Sequence, residues 1–180
     1  MSDKRPRLPG DPTRPAHRMI RVDHAGEYGA TRIYAGQLAV MRGGTKTELV
    51  RHMRAQEQVH LDTFNDLIAT RRVRPTVLLP FWHLAGFALG AATAALGERA
   101  AMACTVAVEE TIDAHYIAQI EALGDTEPSL RQTLETIRTE EREHRGIGLA
   151  NGAAQTPGYR LLSSVIKAGC KVAIKLSERF

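Results

Sequence analysis

Six residues in this chain have the side chains and the spacing that a site for two metal ions requires. A single glutamate is followed about thirty residues later by the pattern Glu-x-x-His, and this arrangement occurs twice. The residues are Glu27, Glu57, His60, Glu109, Glu141 and His144. Residues three positions apart lie on the same face of a helix, so each Glu-x-x-His pair can bind one ion from one helix. Facing helices of a bundle can bring two such pairs and two single glutamates together around two ions.

One Glu-x-x-His match is weak evidence, because a chain of this composition contains roughly half a match by chance. Two matches, each with a glutamate one helical hairpin upstream, are more specific. Carboxylates with one histidine per ion favour redox-active metals over structural zinc, which prefers cysteine and histidine. Six protein ligands leave open positions on two ions, and a pair of Fe²⁺ ions with open positions can activate O₂. The pattern does not distinguish hydroxylation, ferrous-iron oxidation, peroxide removal and radical generation.

The segments that carry these residues are predicted to be helices, since apolar residues recur with helical spacing and strand-like alternation is rare. We expect them at 18–42, at 46–72, from near Ala85 to about Leu123, and at 128–150. The predicted fold class is all-α, a ferritin-like four-helix bundle. The second and third helices of such a bundle run parallel. The residues between them must therefore return along the bundle, and roughly a dozen extended residues can cover that distance.

Three residues close to Glu27 give further indications. Gly26 and Gly29 flank it, and because glycine weakens a helix, their presence predicts close approach by a neighbouring helix. His24 lies three residues before Glu27, on nearly the same face. Its order relative to the glutamate is reversed, so we treat it as an alternative ligand, or as a residue with a supporting or structural role.

Several acidic residues are adjacent in sequence to a candidate ligand, so the ligand must be distinguished from its neighbours. Glu109 is preferred to Glu110 as a ligand because Glu109 shares its face with Tyr116, whereas Glu110 is rotated by about 100° and is expected to support the site or face solvent. Tyr116 is expected to line a pocket or donate a hydrogen bond near the ions. Glu141 is chosen only for its spacing from His144. The polar residues predicted to be solvated include Gln56, Glu140 and Glu143.

An apolar segment at 76–97 contains 22 residues without a formal charge. That length suffices for a membrane span, although Pro80 and His83 make it a weak one. Three alternatives stay open: a buried crossover that leads into a helix, a segment lying on a bilayer surface, and a true span. Gly86 and Gly90 form a small-x-x-x-small pair, which predicts close helix contact in or out of a membrane.

The last segment, 159–180, is predicted to be an amphipathic helix. Lys167, Lys171 and Lys175 recur every four residues on the side opposite the apolar stripe. The helix either packs on the bundle in the ordinary way or lies at an anionic lipid surface. In the second case it would form one membrane-facing surface together with 76–97.

Composition limits the class of protein further. The chain of 180 residues fits one domain, predicted at 18–180 after a flexible lead-in at 1–17 that is rich in proline. The net charge of +4 suits an anionic surface, but no nucleic-acid-binding module is recognisable, so no nucleic-acid partner is expected. Cys104 and Cys170 lack a paired spacing and are predicted to be buried thiols in a reducing compartment. No signal or transit peptide is recognisable, which predicts that the protein stays where it is made.

Four stretches of the chain closely resemble the demethoxyubiquinone hydroxylases, a family of membrane-associated di-iron monooxygenases of ubiquinone biosynthesis. They are MIRVDHAGEYGA (19–30), RVRPTVLLPFWHLAGFALGAATAALG (72–97), AMACTVAVEETI (101–112) and AGCKVAIKLSER (168–179). The resemblance implies that the six residues of the paired pattern bind two Fe ions. It also implies that His115 and Tyr116 form the histidine–tyrosine pair that lies beside the ions in that family.

The reaction implied by this resemblance is the O₂-dependent hydroxylation of a 6-methoxy-3-methyl-2-polyprenyl-1,4-benzoquinol. Electrons would come from the quinol or from NADH, and without a Rossmann fingerprint no tightly bound dinucleotide is expected. The implied location is peripheral, at the cytoplasmic face of a bacterial inner membrane, or at the matrix face of the mitochondrial inner membrane in a eukaryote. Expected partners are the quinol and membrane lipid, and candidate partners are other ubiquinone-biosynthesis proteins and a second copy of the chain.

Two rival functions predict different behaviour. A ferritin-like ferroxidase or peroxidase would oxidise Fe²⁺ without a lipid substrate and would not depend on the segment at 76–97. A helical membrane adaptor would use the same acids and histidines for structure alone and would bind no stoichiometric iron.

Overall fold

The computed structural model describes residues 15–180, which form six α-helices and contain no strand. The helices are α1 (Pro15–Val40), α2 (Thr45–Thr70), α3 (Leu79–Ala95), α4 (Glu98–Leu123), α5 (Pro128–Ala150) and α6 (Tyr159–Arg179), with one short 3₁₀ turn at Ala153–Gln155. The all-α prediction is confirmed. Within the described part of the chain, the first helix spans Pro15–Val40. Residues 15–17 therefore belong to α1 and not to the predicted lead-in, whose other residues, 1–14, lie outside the described part.

Helices α1 and α2 form an antiparallel hairpin. Toward one end of the bundle His24 of α1 lies 3.0 Å from the side-chain oxygen of Asn65 in α2. Toward the other end the Tyr34 hydroxyl lies 3.8 Å from the sulfur of Met53. Residue numbers therefore rise along α1 while they fall along the facing side of α2, which brings the middles of both helices together.

Helix α4 also runs antiparallel to α1. Asp23 near the start of α1 accepts a hydrogen bond from Gln119 at 2.8 Å, and Gln37 near its end donates to the backbone of Ala101 at 3.1 Å. Since α2 and α4 both oppose α1, they run parallel to each other, as the bundle prediction requires. Helix α5 packs antiparallel against α4 and completes the four-helix bundle.

The connection between the parallel helices differs from the predicted one. Ala85 was expected near the start of the third bundle helix, but it lies inside α3, a separate helix that ends before α4 begins at Glu98. The break falls at Gly97, whose φ of 116° is a conformation that glycine adopts without strain. Helix α3 itself makes the return along the bundle, and only residues 71–78 separate it from α2 in non-helical conformation.

Helix α3 runs parallel to α1 at a very short distance, and glycines make this possible. A Cβ atom on Gly90 would lie 1.9 Å from the carbonyl oxygen of Ile33, and one on Gly86 would lie 2.9 Å from that of Gly29. The predicted close contact at Gly86 and Gly90 is thus confirmed. Helix α3 also approaches the carbonyl of Gly29 closely, but this approach does not require glycine at 26 or 29, because a Cβ atom on either would meet nothing within 4 Å.

We expect Gly90→Ala to destabilise the fold by about 3 kcal/mol, because the added methyl group overlaps backbone of α1 that cannot move independently. Gly146→Ala is the matched control, since a Cβ atom there meets nothing within 4 Å. That change should stabilise α5 by up to roughly 1 kcal/mol. Denaturant unfolding of both variants measures the difference, and equal stabilities would contradict the tight contact between α1 and α3.

Helix α6 covers α4 and α1 on the same side of the bundle as α3. The indole nitrogen of Trp82 in α3 donates to the hydroxyl of Ser177 at 3.0 Å, and the backbone nitrogen of Val77 donates to the carbonyl of Phe180 at 3.0 Å. Cys104 of α4 is buried beneath α6, whereas Cys170 is only partly buried, and both are free thiols. Among residues 15–180, no helix combines the length and the apolar character needed to cross a bilayer.

Candidate metal centre

The six residues of the paired pattern come together in the middle of the bundle. Helix α1 contributes Glu27, α2 contributes Glu57 and His60, α4 contributes Glu109, and α5 contributes Glu141 and His144. None of the six is more than 2% exposed. Buried carboxylates are rare unless they are paired or bind metal. Four of them in one place therefore indicate a site that needs positive charge.

The donor atoms form two overlapping groups, each compact enough for one ion. Within each group one donor atom from every residue lies within 4.8 Å of the others. Glu27 and His60 belong only to the first group, Glu109 and His144 only to the second, and two glutamates to both. The shared residues are Glu57 and Glu141. Each position thus has one single glutamate, one histidine and two carboxylates in common with the other position.

Each histidine turns one nitrogen toward the cluster and the other away from it. Nδ1 of His60 lies 3.1 Å from Glu141, and Nδ1 of His144 lies 3.0 Å from Glu57. On the outer side, Nε2 of His60 lies 2.5 Å from a carboxylate oxygen of Glu140. Histidines that bind metal commonly donate their second N–H to such an acceptor, which fixes the ring and its tautomer. The Nδ1 atoms are therefore the candidate ligand atoms.

Gln56 and Glu140 are only partly exposed, and the side chain of Glu140 is 40% exposed, but both make contacts that the prediction of solvated residues did not include. Nε2 of His144 lies 3.0 Å from the side-chain oxygen of Gln56, which mirrors the contact between His60 and Glu140. Each supporting residue belongs to the opposite helix and stands directly before the glutamate of a Glu-x-x-His pair. That shared position is the signal in the sequence, and it is visible only when the two copies are compared.

A tyrosine contacts each single glutamate. The hydroxyl of Tyr116 donates to Glu27 at 2.5 Å, and the hydroxyl of Tyr34 donates to Glu109 at 3.1 Å. Tyr116 was expected near the ions, but Tyr34 was not assigned a role. Both tyrosines lie seven residues after one single glutamate and contact the other one, so the two halves of the bundle repeat the arrangement. A glutamine follows each tyrosine at the same spacing, and these are Gln37 and Gln119.

Other residues named from the sequence lie outside both groups. Nε2 of His115 lies 2.8 Å from the amide nitrogen of Gln119 and 3.4 Å from Asp23, so this histidine is next to Tyr116 in sequence without touching a candidate ligand. His24 pairs with Asn65 and does not join the cluster.

Among the acids adjacent to the motifs, Glu110 forms ion pairs with Arg145 and Lys167, on the surface between α4, α5 and α6. Glu143 is exposed, as predicted.

Burial and mutual repulsion govern the protonation of the metal-free cluster. Burial, followed by the charge of Glu141, raises the pKa of Glu57 and of Glu109 well above the ordinary value for glutamate. Burial also raises the pKa of Glu27. Glu141 is the exception: although burial opposes it, hydrogen bonds from His144 and His60 lower its pKa to about 2. The cluster therefore retains protons that a metal cation would displace.

Several carboxylate oxygens of the cluster lack hydrogen-bond partners and are therefore available to bind a cation. Buried carboxylate oxygens normally accept at least one hydrogen bond. Both oxygens of Glu57 and one oxygen each of Glu27 and Glu109 accept none within the described part of the chain. These unsatisfied oxygens belong to both groups, so the residues fit a pair of oxygen-preferring or borderline cations.

An apolar cavity of about 690 Å³ lies between α1, α3, α4 and α6. Gly26 and Ala30, which precede and follow Glu27 in the sequence, line it. Val108 and Ile112, which precede and follow Glu109, also line it, whereas none of the six clustered residues does. Gly29 also lines the cavity, so both glycines beside Glu27 keep the wall free of side chains at this point. The cavity therefore ends against the two helices that carry the single glutamates.

The fold and the cluster together define a ferritin-like helical bundle whose centre holds a buried carboxylate–histidine cluster that could bind metal. A sequence profile described as "Ubiquinone biosynthesis protein COQ7" matches residues 14–177. The chain belongs to the COQ7 family.

Several relatives carry names that describe their activity. The chain is 60% identical over 176 residues to a protein of Rhodospirillum rubrum named "3-demethoxyubiquinol 3-hydroxylase", covering 96% of this chain and 83% of that protein. It is 55% identical over 166 residues to a human protein named "NADPH-dependent 3-demethoxyubiquinone 3-hydroxylase, mitochondrial", covering 90% and 76%. A protein of Saccharomyces cerevisiae named "5-demethoxyubiquinone hydroxylase, mitochondrial" is 40% identical over 179 residues, covering 90% and 77%. The chain is thus an enzyme of a hydroxylase family.

Proposed function

We propose that this chain uses O₂ and a pair of iron ions to hydroxylate a 6-methoxy-3-methyl-2-polyprenyl-1,4-benzoquinol in ubiquinone biosynthesis. The observation that carries the proposal is the apolar cavity whose wall includes α1 and α4, the two helices that carry Glu27 and Glu109. An aromatic ring with an isoprenoid tail is apolar enough to enter such a cavity. The names of the relatives support the same substrate class and the same reaction.

Iron would be held by the six clustered residues. Glu57 and Glu141 belong to both groups, which favours them as the carboxylates that join the two ions. The outer contacts of the histidines and the tyrosine hydroxyls hold the remaining ligands in place. A reduced iron pair with open coordination positions supplies the activation of O₂.

The composition of the cavity wall determines which kind of substrate the cavity can admit. Its wall consists almost entirely of apolar side chains and glycines, so it suits an apolar ring. Ring atoms would approach between α1 and α4, where Gly26 leaves the wall open. The isoprenoid tail would extend along α3 and α6.

Reconstitution tests the proposal against the rival ferroxidase. Protein loaded anaerobically with Fe²⁺ and desalted should retain about two irons per chain by elemental analysis. Added demethoxyubiquinol and isotopically labelled O₂ should give a quinol carrying one labelled oxygen. Rapid Fe²⁺ oxidation without any oxygenated quinol would favour the ferroxidase, and a chain that retains no iron would exclude both enzymes.

We further propose a peripheral position at the surface of a membrane, at the cytoplasmic face of the inner membrane in a bacterial cell. Helices α3 and α6, which enclose the cavity, also carry large apolar side chains that face solvent. Leu84 is 71% exposed and Leu161 is 72% exposed. Leu161, Val165 and Val172 share one face of α6 by their spacing, with Lys171 and Lys175 near its border. Such an arrangement suits a helix that lies in the headgroup region of an anionic bilayer.

The affinity of the protein for liposomes tests whether this surface binds a membrane. We expect the double variant Leu161→Ser, Val165→Ser to bind anionic vesicles at least roughly tenfold more weakly, because two exposed apolar side chains no longer enter the lipid. Val59→Ser is the control, since Val59 is 64% exposed but lies on α2. Binding of the unchanged chain should fall as salt increases. Equal partition onto neutral and anionic vesicles at every salt concentration would contradict the electrostatic part of the proposal.

A further inference from the structure

The two candidate metal positions match each other in almost every residue. Each has a single glutamate, a histidine and the two shared carboxylates. In each, a tyrosine seven residues after one single glutamate donates a hydrogen bond to the other single glutamate. This near-equivalence makes any difference between the two positions informative.

One difference in charge stands out among the residues that contact the ligands. The outer nitrogen of His60 lies 2.5 Å from a carboxylate oxygen of Glu140, whereas the outer nitrogen of His144 lies 3.0 Å from an amide oxygen of Gln56. Both acceptors stand directly before the glutamate of a Glu-x-x-His pair, so they occupy equivalent places. One place holds an anion and the other holds a neutral group.

An anionic acceptor acts on the metal through the ring. A carboxylate attracts the N–H proton more strongly than an amide does, which increases the electron density on the nitrogen that faces the metal. The carboxylate also adds a negative charge on the far side of the buried His60 ring from a bound dication; because Glu140 is 40% exposed, solvent screens part of this attraction. Both effects act at the position of His60 and only weakly at that of His144.

We propose that the two positions bind metal unequally, and that Glu140 makes the position of Glu27 and His60 the tighter one. This inference rests on the proposed metal centre. The first ion then binds at Glu27 and His60, and the second ion completes the pair at Glu109 and His144. Glu140 is a positioning residue, since it acts through His60 and does not reach the cluster itself.

Anaerobic titration of the metal-free full-length protein with Fe²⁺, followed by calorimetry, tests the order of affinities. The unchanged chain should show two steps whose affinities differ by about tenfold or more, the lower end of the effect of such supporting residues. Glu140→Gln should weaken the tighter step by about tenfold and bring the two steps together. Gln56→Glu should strengthen the weaker step. Glu143→Gln, which removes the same charge from an exposed site on the same helix, should leave both steps unchanged.

Variants that retain the ligands of only one metal position show at which position Glu140 affects Fe²⁺ affinity. In a Glu109→Gln background, which retains the ligands of the His60 position, adding Glu140→Gln should weaken Fe²⁺ binding by about tenfold. In a Glu27→Gln background, which retains the His144 position, the same addition should change binding little. These variants report on metal affinity and do not require catalytic activity.

The possible results separate this inference from the proposed function. Two ions bound with equal affinity, or an equal effect of Glu140→Gln in both backgrounds, would overturn the inequality while leaving the two-metal site in place. A Glu140→Gln effect no larger than that of Glu143→Gln would overturn the role of Glu140. A chain that binds no Fe²⁺ at all would overturn the metal centre and this inference together.

Discussion

Replacing both shared carboxylates, Glu57→Gln and Glu141→Gln, should give a folded chain that retains almost no iron and hydroxylates no quinol. Each carboxylate belongs to both metal positions, so the double change removes two ligands from each ion. Residues that merely support a ligand contribute roughly 10–100-fold to metal affinity, and the loss of two ligands per ion should exceed that. Iron per chain after desalting, circular dichroism and a quinol assay measure the three expectations.

The two single changes should affect the metal-free protein in opposite directions at neutral pH. The raised pKa of Glu57 means that its charge opposes folding once the pH exceeds the ordinary glutamate value, so Glu57→Gln should stabilise the apo fold. The lowered pKa of Glu141 means that its charge, beside His144 and His60, supports folding, so Glu141→Gln should destabilise it. Each effect should be about 1–3 kcal/mol in denaturant unfolding.

A matched control removes two charges elsewhere. Glu121 and Glu143 are exposed and take no part in the cluster, so Glu121→Gln with Glu143→Gln should retain iron and activity. Normal function in the Glu57→Gln, Glu141→Gln chain would instead support a protein in which these acids are structural.

The positions of the helices were largely predictable, because apolar periodicity and glycine-rich turns mark them. The prediction from the sequence failed at Gly97, the boundary between α3 and α4. Only Glu98 and Arg99 interrupt the apolar residues there before they resume at Ala100, so the helical pattern can be extended through the break. Only the backbone conformation of Gly97, with φ at 116°, separates the two helices.

The candidate ligands could be named from spacing within single helices, but their supporting residues could not. Glu140 and Gln56 lie off the inner face of their own helices, which predicted that they face solvent. Both also reach a histidine on the neighbouring helix, and the spacing of residues on one helix holds no information about that contact. Tyr34 was missed for the same reason, since its hydroxyl meets Glu109 from across the bundle.

Gly26 illustrates how function can oppose local stability. A glycine in the middle of a helix weakens it by roughly 0.5–1 kcal/mol relative to alanine. Neither its backbone conformation nor a close neighbour requires glycine, because a Cβ atom there would meet nothing within 4 Å. Gly26 lies instead on the cavity wall, directly before Glu27. The absence of a side chain therefore matters for what enters the cavity, and not for how the helices pack.

We expect Gly26→Leu to be more stable than the unchanged chain and yet nearly inactive. Leucine should add about 1 kcal/mol of helix stability. Its side chain would project into the cavity where the quinol ring approaches, and even small misplacement of a substrate lowers the rate by about a hundredfold. Iron content should stay the same, because no ligand changes. Thermal unfolding, iron analysis and the rate of quinol hydroxylation provide the three measurements.

Gly146→Leu is the control for Gly26→Leu, since Gly146 lies inside α5 with equally open space around it but away from the cavity. It should gain similar stability and keep full activity. The rate of Fe²⁺ oxidation without quinol should be unchanged in both variants. If Gly26→Leu lowers only the rate of quinol hydroxylation, the defect lies in the access of substrate to the site. A Gly26→Leu chain that hydroxylates quinol at the normal rate would show that substrate reaches the iron by another route. The cavity would then lose its place in the proposed function, even if the iron content remained as expected.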